Sequence, residues 1–595
     1  MAEVREGRGS MVTIKKWLGL CEHPDGDTEL RRGEAAAMRN FRVTKEGSLQ
    51  IRPGYAAKCT LVPGSPVRGL WSGYVNGCRC LLCACGGKVW SVDTAGWTAT
   101  ELGSVADAPA AFFGFNRSVY ILDGTEYYVW TGTGSLAPVA GYVPIVATAA
   151  PPAGGGTLLE QANKLTGKKR QQFSPDGTSA LFRLAETGVD SVDCVKVNGN
   201  AVTTGFTADA AAGTVTFGTA PAAGTNTVEI AWTKGTGDRQ AVTAMRFSEL
   251  YNGARDTRVF LYGDGSNRAV YSGLDENGAP TAEYFPDLNV LDAGSGNTPV
   301  TALVRHFSRL VVFKSDSAYS VQYSAVTLDD GSLTAGFCLT PINRSVGHEA
   351  PGQIALVENN PWSLFGGAAY EWKLSGAASG SDERQAGRRS DRVAKTLGTF
   401  DLHECLLFDD NERQELYLVC GGRALVYHYA ADAWYYYDHI PALCMVSAGG
   451  QVYFGTPDGR LMHLSRDYRS DARAEIDAYW ESGAMLFDRS WRKKSARQLW
   501  VAMKPESQAR LTVTVQSDCG SEHARRVISS GLSTFTNAAF HQFSFGTNRK
   551  PQVRRLKLRV KKFVYYKLIF SSRSASATAT VLSADVLLQE TGNVK

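Results

Sequence analysis

Residues 415–429 read ELYLVCGGRALVYHY, and the reading of this stretch decides the fold class. Two short apolar runs flank Gly421-Gly422, and a glycine pair supplies the positive φ angles that a two-residue hairpin turn needs. The same unit recurs along the chain: an apolar strand, a Gly or Asp-containing turn, then a second strand carrying an aromatic. It appears around Gly87 (CLLCACGGKVWSVD), Gly124 (SVYILDGTEYYVW), Gly265 (RVFLYGDGSNRAVYSG), Asp316 (RLVVFKSDSAYSVQY), Gly367 (WSLFGGAAYEWKL) and Gly459 (QVYFGTPDGRLMHL). With Gly422 included, successive turns lie 37, 141, 51, 51, 55 and 37 residues apart. Apart from the long interval, these are spacings of β-propeller blades, each a small antiparallel sheet of ~40–50 residues. Isolated hairpins are marginally stable, and a closed ring removes their exposed edges. An all-β fold built on a propeller is therefore expected, its blade count open because the two chain ends can complete one blade together.

The long interval holds a different text. Residues 144–155, PIVATAAPPAGG, read as a Pro/Ala/Gly linker. Short alternating strands follow, around Leu181 and Arg183, Cys194 to Asn198, Val215 and Phe217, and Val228, Ile230 and Trp232. That pattern predicts a small β-sandwich of ~90 residues inserted between two blades. After residue 470 the blade period stops, and segments such as ARQLWVAM, ARLTVTVQS and RRLKLRVKKFVYYKLIF predict a second sandwich. The expected layout is an N-terminal tail over 1–29, a first propeller part over 30–145, an inserted Ig-like sandwich over 146–238, the rest of the propeller over 239–470, and a C-terminal sandwich over 471–595.

Composition narrows the function classes. The net charge of +5 is unevenly split: residues 471–595 hold 21 Lys and Arg against 10 Asp and Glu, a net +11, which leaves 42 against 48, a net −6, for residues 1–470. On the segment around Arg555, Lys557, Arg559 and Lys561, basic residues alternate with Leu556, Leu558 and Val560, so one strand face is apolar and the other cationic. A contact with an acidic protein surface is favoured there over a contact with nucleic acid. No long apolar run or signal segment is evident, so synthesis and folding in a cytoplasm, without a membrane anchor, are expected. Twelve cysteines in that setting argue against a disulfide framework. Cys78, Cys80, Cys83 and Cys85 crowd together, but structural zinc sites usually draw ligand pairs from two separated hairpins. A buried strand in which cysteine acts as a small hydrophobe is the preferred reading.

Searching for chemistry returns little. There is no nucleophile elbow, zinc helix or phosphate-binding loop, and the nine histidines are dispersed. The pairs Asp409-Asp410 and Asp329-Asp330 sit in turn-like text, SPDGTSAL at Ser174 lacks the Trp of a sialidase-type box, and HPDGDTE at His23 lacks the later Glu of a calcium loop. The arginine-rich 383–395 reads as a mobile loop or subunit contact. No catalytic, metal or cofactor residue is predicted, and the chain is expected not to be an enzyme.

One further stretch, RNFRVTKEGSLQIRPGY at 39–55, has hairpin grammar about a Lys-Glu-Gly turn. Its Asn40, Val43, Gly47, Leu49, Arg52 and Gly54, followed by propeller-like repeats, resemble the tail nozzle proteins of short-tailed bacteriophages, also called tubular tail or packaged-DNA stabilisation proteins. The likeness covers residues ~30–145 and ~240–470; the inserted sandwich departs from it and is similar to Ig-like or lectin-like modules of virion proteins. The resemblance implies a virion structural protein that forms a ring with itself, typically a hexamer, beneath the portal and adaptor. Such rings extend the DNA channel, help retain the genome, touch it transiently, and contact a fibre or needle. Two alternatives stand beside it: a carbohydrate-binding or carbohydrate-degrading propeller at the tail tip, which needs two carboxylates at glycosidase separation, and a monomeric scaffold propeller.

Overall fold

The computed structural model describes residues 10–22, 26, 30–253, 257–327, 333–374, 384–486, 490–506, 509–518, 520–530 and 550–593. Nearly all of this structure is β, as the sequence led one to expect. It divides into two compact units, Met1–Val67 with Ala355–Trp372 and Ala386–Lys595, and Arg68–Ile354 with Lys373–Gln385.

Among the described residues, seven sheets have four strands each. Four lie over residues 67–104, 111–138, 247–292 and 300–343, and two over 355–388 and 406–437. The seventh combines Cys444–Ala448, Gln451–Gly455 and Arg460–Ser465 with a distant strand, Gly54–Thr60. Each of the seven turns read from the sequence joins the second and third strands of one sheet. At the opening stretch, Glu415–Cys420 and Arg423–His428 pair with Cys420 opposite Arg423, and Gly421 and Gly422 have φ of 56° and 77°. Both strands are buried nearly throughout, which is why their text is continuously apolar rather than alternating. Cys78–Cys85 forms the second strand of the first sheet, with Cys83 and Cys85 buried and Cys78 exposed.

The inserted region forms a six-stranded and a three-stranded sheet around Phe173, Phe182, Val215, Ile230 and Trp232. Residues 144–155 are only partly a linker: Ile145–Ala150 is a strand lying parallel to Lys168–Phe173. The Asn163 amide ties this region to its own unit, donating to the carbonyls of Tyr142 and Glu283, each at 2.8 Å.

The N-terminal segment departs from the expected layout. Where described, residues 10–51 are neither a tail nor the start of the four-stranded sheets; their strands complete the two six-stranded sheets of the C-terminal region. Ser10–Ile14 pairs with the last strand, Met11 opposite Leu587. Glu34–Arg39 covers the edge of Ile476–Ser482, Met38 opposite Trp480. Burial of Trp17 edge-on against Trp480, ring centres 4.8 Å apart, fixes the attachment. An edge strand left bare invites pairing with another chain, and here the same chain supplies the cover. Residues 383–395 are likewise not a loop where described: they form the strand Arg384–Arg388 and a short helical turn. Two of their arginines are paired locally, Arg389 with Glu371 at 2.7 Å and Arg388 with Asp391 at 2.7 Å.

Candidate docking surface

The hairpin motif is a buried clasp. Asn40 stands in left-handed backbone, φ 56°, a conformation Asn tolerates better than most residues. Its side-chain oxygen accepts from Arg52 Nε at 2.8 Å and from the Asp438 N–H at 3.0 Å, while its amide donates to the Asp477 carbonyl at 2.9 Å and to the Asp438 carboxylate. Arg52 spends all five of its N–H donors: one on Asn40, two as a fork onto the Asp471 carboxylate, and two on the carbonyls of Pro53 and Asp438. Two segments far from it in sequence, at Asp438 and at Asp471 to Asp477, are thereby fixed to one hairpin.

The other motif positions serve the same clasp. Val43 and Leu49 face each other across the hairpin and are buried, and Gly47 closes its turn at φ 83°. A Cβ on Gly54 would stand 2.2 Å from the Ser470 carbonyl oxygen, so only glycine lets the chain pass there. No motif side chain is left to meet a ligand.

The basic strand is the opposite case. Among the described residues, Gln552–Phe563 is the edge strand of a six-stranded sheet. Leu556, Leu558 and Val560 are buried, while Arg555, Lys557 and Lys561 are exposed; the Arg559 side chain lies outside the described residues. Among the described residues no ion pair or side-chain hydrogen bond holds Lys557 or Lys561, and Arg555 donates to Gln498 Oε1 at 3.1 Å. The register gives these cations companions that the sequence does not show. Arg555 lies opposite Trp500, which lies opposite Asp585; Lys557 lies opposite Gln498, then Leu587, then Met11. With Met11 and Val553 53% and 58% exposed, the strand offers cations beside apolar surface. The lysines also protect the free edge against strand addition.

The remaining sequence candidates are dispersed or self-satisfied. Asp410 is paired with Arg413 at 2.7 Å. Burial pushes the Asp409 carboxyl up to about 6, with Asp410 and Glu358 adding to the rise and Tyr429 opposing it. Asp176 of SPDGTSAL caps its own turn, accepting from Thr178 and Ser179. Asp329-Asp330 and most of the stretch at His23 lie outside the described residues. Among the described residues no three His, Cys, Asp or Glu side chains gather as a metal-binding set, and no helix is long and apolar enough to cross a membrane.

No family model and no curated protein matches the sequence. Among solved structures, a chain of the mitotic checkpoint complex is 9% identical over 70% of this chain and 93% of its own, with a TM-score of 0.33. The computationally designed Ika8 protein is 10% identical over 69% and 99%, with a TM-score of 0.28. The exo-β-1,3-galactanase of Phanerochaete chrysosporium is 11% identical over 83% and 98%, with a TM-score of 0.17. At these scores the likenesses carry no argument about function.

Proposed function

We propose that the chain is a structural subunit of the tail of a short-tailed bacteriophage, a nozzle protein that forms a ring with itself and extends the DNA channel. The observation that carries this reading is the make-up of the seventh four-stranded sheet. Its outer strand, Gly54–Thr60, immediately precedes the first sheet in the chain and pairs with Arg460–Ser465, Tyr55 opposite Leu464. A four-stranded sheet completed by a strand from the other end of the sequence suits a propeller blade that the two chain ends build together. The motif hairpin at Asn40 to Gly54 supports the same family resemblance.

In this reading the two six-stranded sheets are a sandwich whose basic edge docks on protein, the portal or adaptor, rather than on genome. Each Lys or Arg contact with phosphate adds affinity, and a conduit that gripped DNA would slow its passage. The same reading gives the ring a contact with a fibre or needle. In the same reading the subunit acts by assembly and ends in the virion tail after synthesis in the host cytoplasm. Mass photometry with negative-stain imaging over a concentration series tests the reading. Rings with a central channel, alone or with portal and adaptor, are expected; a monomer that ignores those partners and binds or cleaves a glycan would overturn it.

A further inference from the structure

The turn of the motif hairpin, residues 44–47, separates two cavities that share Thr44, Lys45 and Glu46. One, of about 790 Å³, is also lined by Arg413, Arg466 and Lys504, with Glu412 and Asp467. The other, of about 470 Å³, is also lined by Lys16, Gln414 and His428. Arg413 is held by Asp410, but Lys16, Lys45 and Arg466 form no ion pair or side-chain hydrogen bond among the described residues. His428 is 1% exposed, and neither of its ring nitrogens has a hydrogen-bond partner. A polar ring buried without partners is a cost that a native structure normally removes.

The surroundings deepen the imbalance. Arg42 is buried against Glu415 at 2.7 Å, and its Nε and Nη1 have no hydrogen-bond partner. Burial, then Arg42 and Arg413, hold the Arg466 guanidinium below its ordinary value, so cations there crowd one another. The carboxylates are partly engaged: Glu46 is held low by its own backbone and Thr44, then by Lys504 and Arg466, and the Ser465 hydroxyl donates to Asp467 at 3.1 Å. An occupant with several strong acceptor oxygens and more than one negative charge would relieve Lys45 and Arg466 in the larger cavity, and in the smaller one would relieve Lys16 and Lys45 and accept an N–H from the His428 ring. A carboxylate, with two oxygens and one charge, does this less well than a phosphate group.

We propose that the cavities flanking Thr44–Gly47 form a binding site for a phosphate-class oxyanion, with Lys45 and Arg466 as its principal cations. The proposal does not depend on the tail assignment, since a free polyphosphate and a nucleic-acid backbone present the same chemistry. The test uses the full-length protein with two probes, inorganic pyrophosphate by calorimetry and a short DNA duplex by fluorescence anisotropy, at low salt. The variant is Lys45→Ala/Arg466→Ala, and Lys557→Ala/Lys561→Ala removes the same charge elsewhere; melting curves confirm that both fold.

Pyrophosphate is expected to bind the native protein, and the Lys45→Ala/Arg466→Ala variant to bind roughly tenfold or more weakly, as for loss of charge-assisted hydrogen bonds. Lys557→Ala/Lys561→Ala keeps the native affinity. Pyrophosphate bound without DNA identifies a free oxyanion as the source; DNA bound in competition with pyrophosphate identifies a phosphodiester backbone. The proposal is overturned if neither probe binds, if Lys45→Ala/Arg466→Ala binds as the native protein does, or if both double variants lose affinity equally.

Discussion

The clasp at Asn40 and Arg52 and the basic edge strand at Arg555 to Lys561 are both polar, and they behave in opposite ways. In the clasp every guanidinium N–H is spent inside the protein. On the edge strand Lys557 and Lys561 are exposed, with no ion pair or side-chain hydrogen bond among the described residues. The more distinctive text therefore marks architecture, and the plainer text marks a surface free to act. Motif residues whose bonds are all spent inside the protein explain a fold; exposed cations beside apolar surface explain an encounter.

Substitutions can break or sharpen that contrast. Arg52→Met should have the largest effect, roughly 3–5 kcal/mol of stability lost in urea titration, because Asp471 is left buried with its charge uncompensated. Next is Asn40→Ala, expected to cost roughly 2–4 kcal/mol, since it leaves buried donors and acceptors unpaired and puts alanine in left-handed backbone.

Asp409 is an intermediate case, half-buried and without the fork that Arg52 gives Asp471. Its carboxyl, at about 6 when folded against an ordinary 3.8, keeps a proton that the unfolded chain releases. The folded state thus binds more protons between about pH 4 and 6, and stability contributed by this group falls as pH rises through that window. Asp409→Asn should flatten this part of the stability profile and add on the order of 1–3 kcal/mol at pH 7, read by urea titration at several pH values. The smallest effect belongs to Lys557→Ala/Lys561→Ala, whose melting curve should stay within about 0.5 kcal/mol of native. A large loss there would erase the distinction between clasp and surface.

Turns were the legible part of the sequence, because Gly-Gly and Asp-Gly, and Asp with its serines, signal a turn locally: all seven predicted turns join the second and third strands of a sheet. Partner choice was not legible. Nothing local in Gly54–Thr60 reports that it pairs with Arg460–Ser465, nor in Ser10–Ile14 that it pairs with the last strand. Ile145–Ala150 read as linker because its Ala-rich text is shared by strands and spacers. The arginine-rich segment read as a loop because its charges hide the strand, whereas in the fold Glu371 and Asp391 neutralise two of them. On the docking surface the alternation of Leu556, Leu558 and Val560 with cations was visible, but Met11, Trp500 and Leu587 reach it only through register.

The most direct measurement is the mass distribution of the native chain and of Lys557→Glu/Lys561→Glu, each mixed with portal and adaptor, by mass photometry. The account predicts that the native protein joins a ring-sized assembly while the variant, with an unchanged melting curve, fails to dock. Identical assembly by both proteins, or none by either, would contradict it.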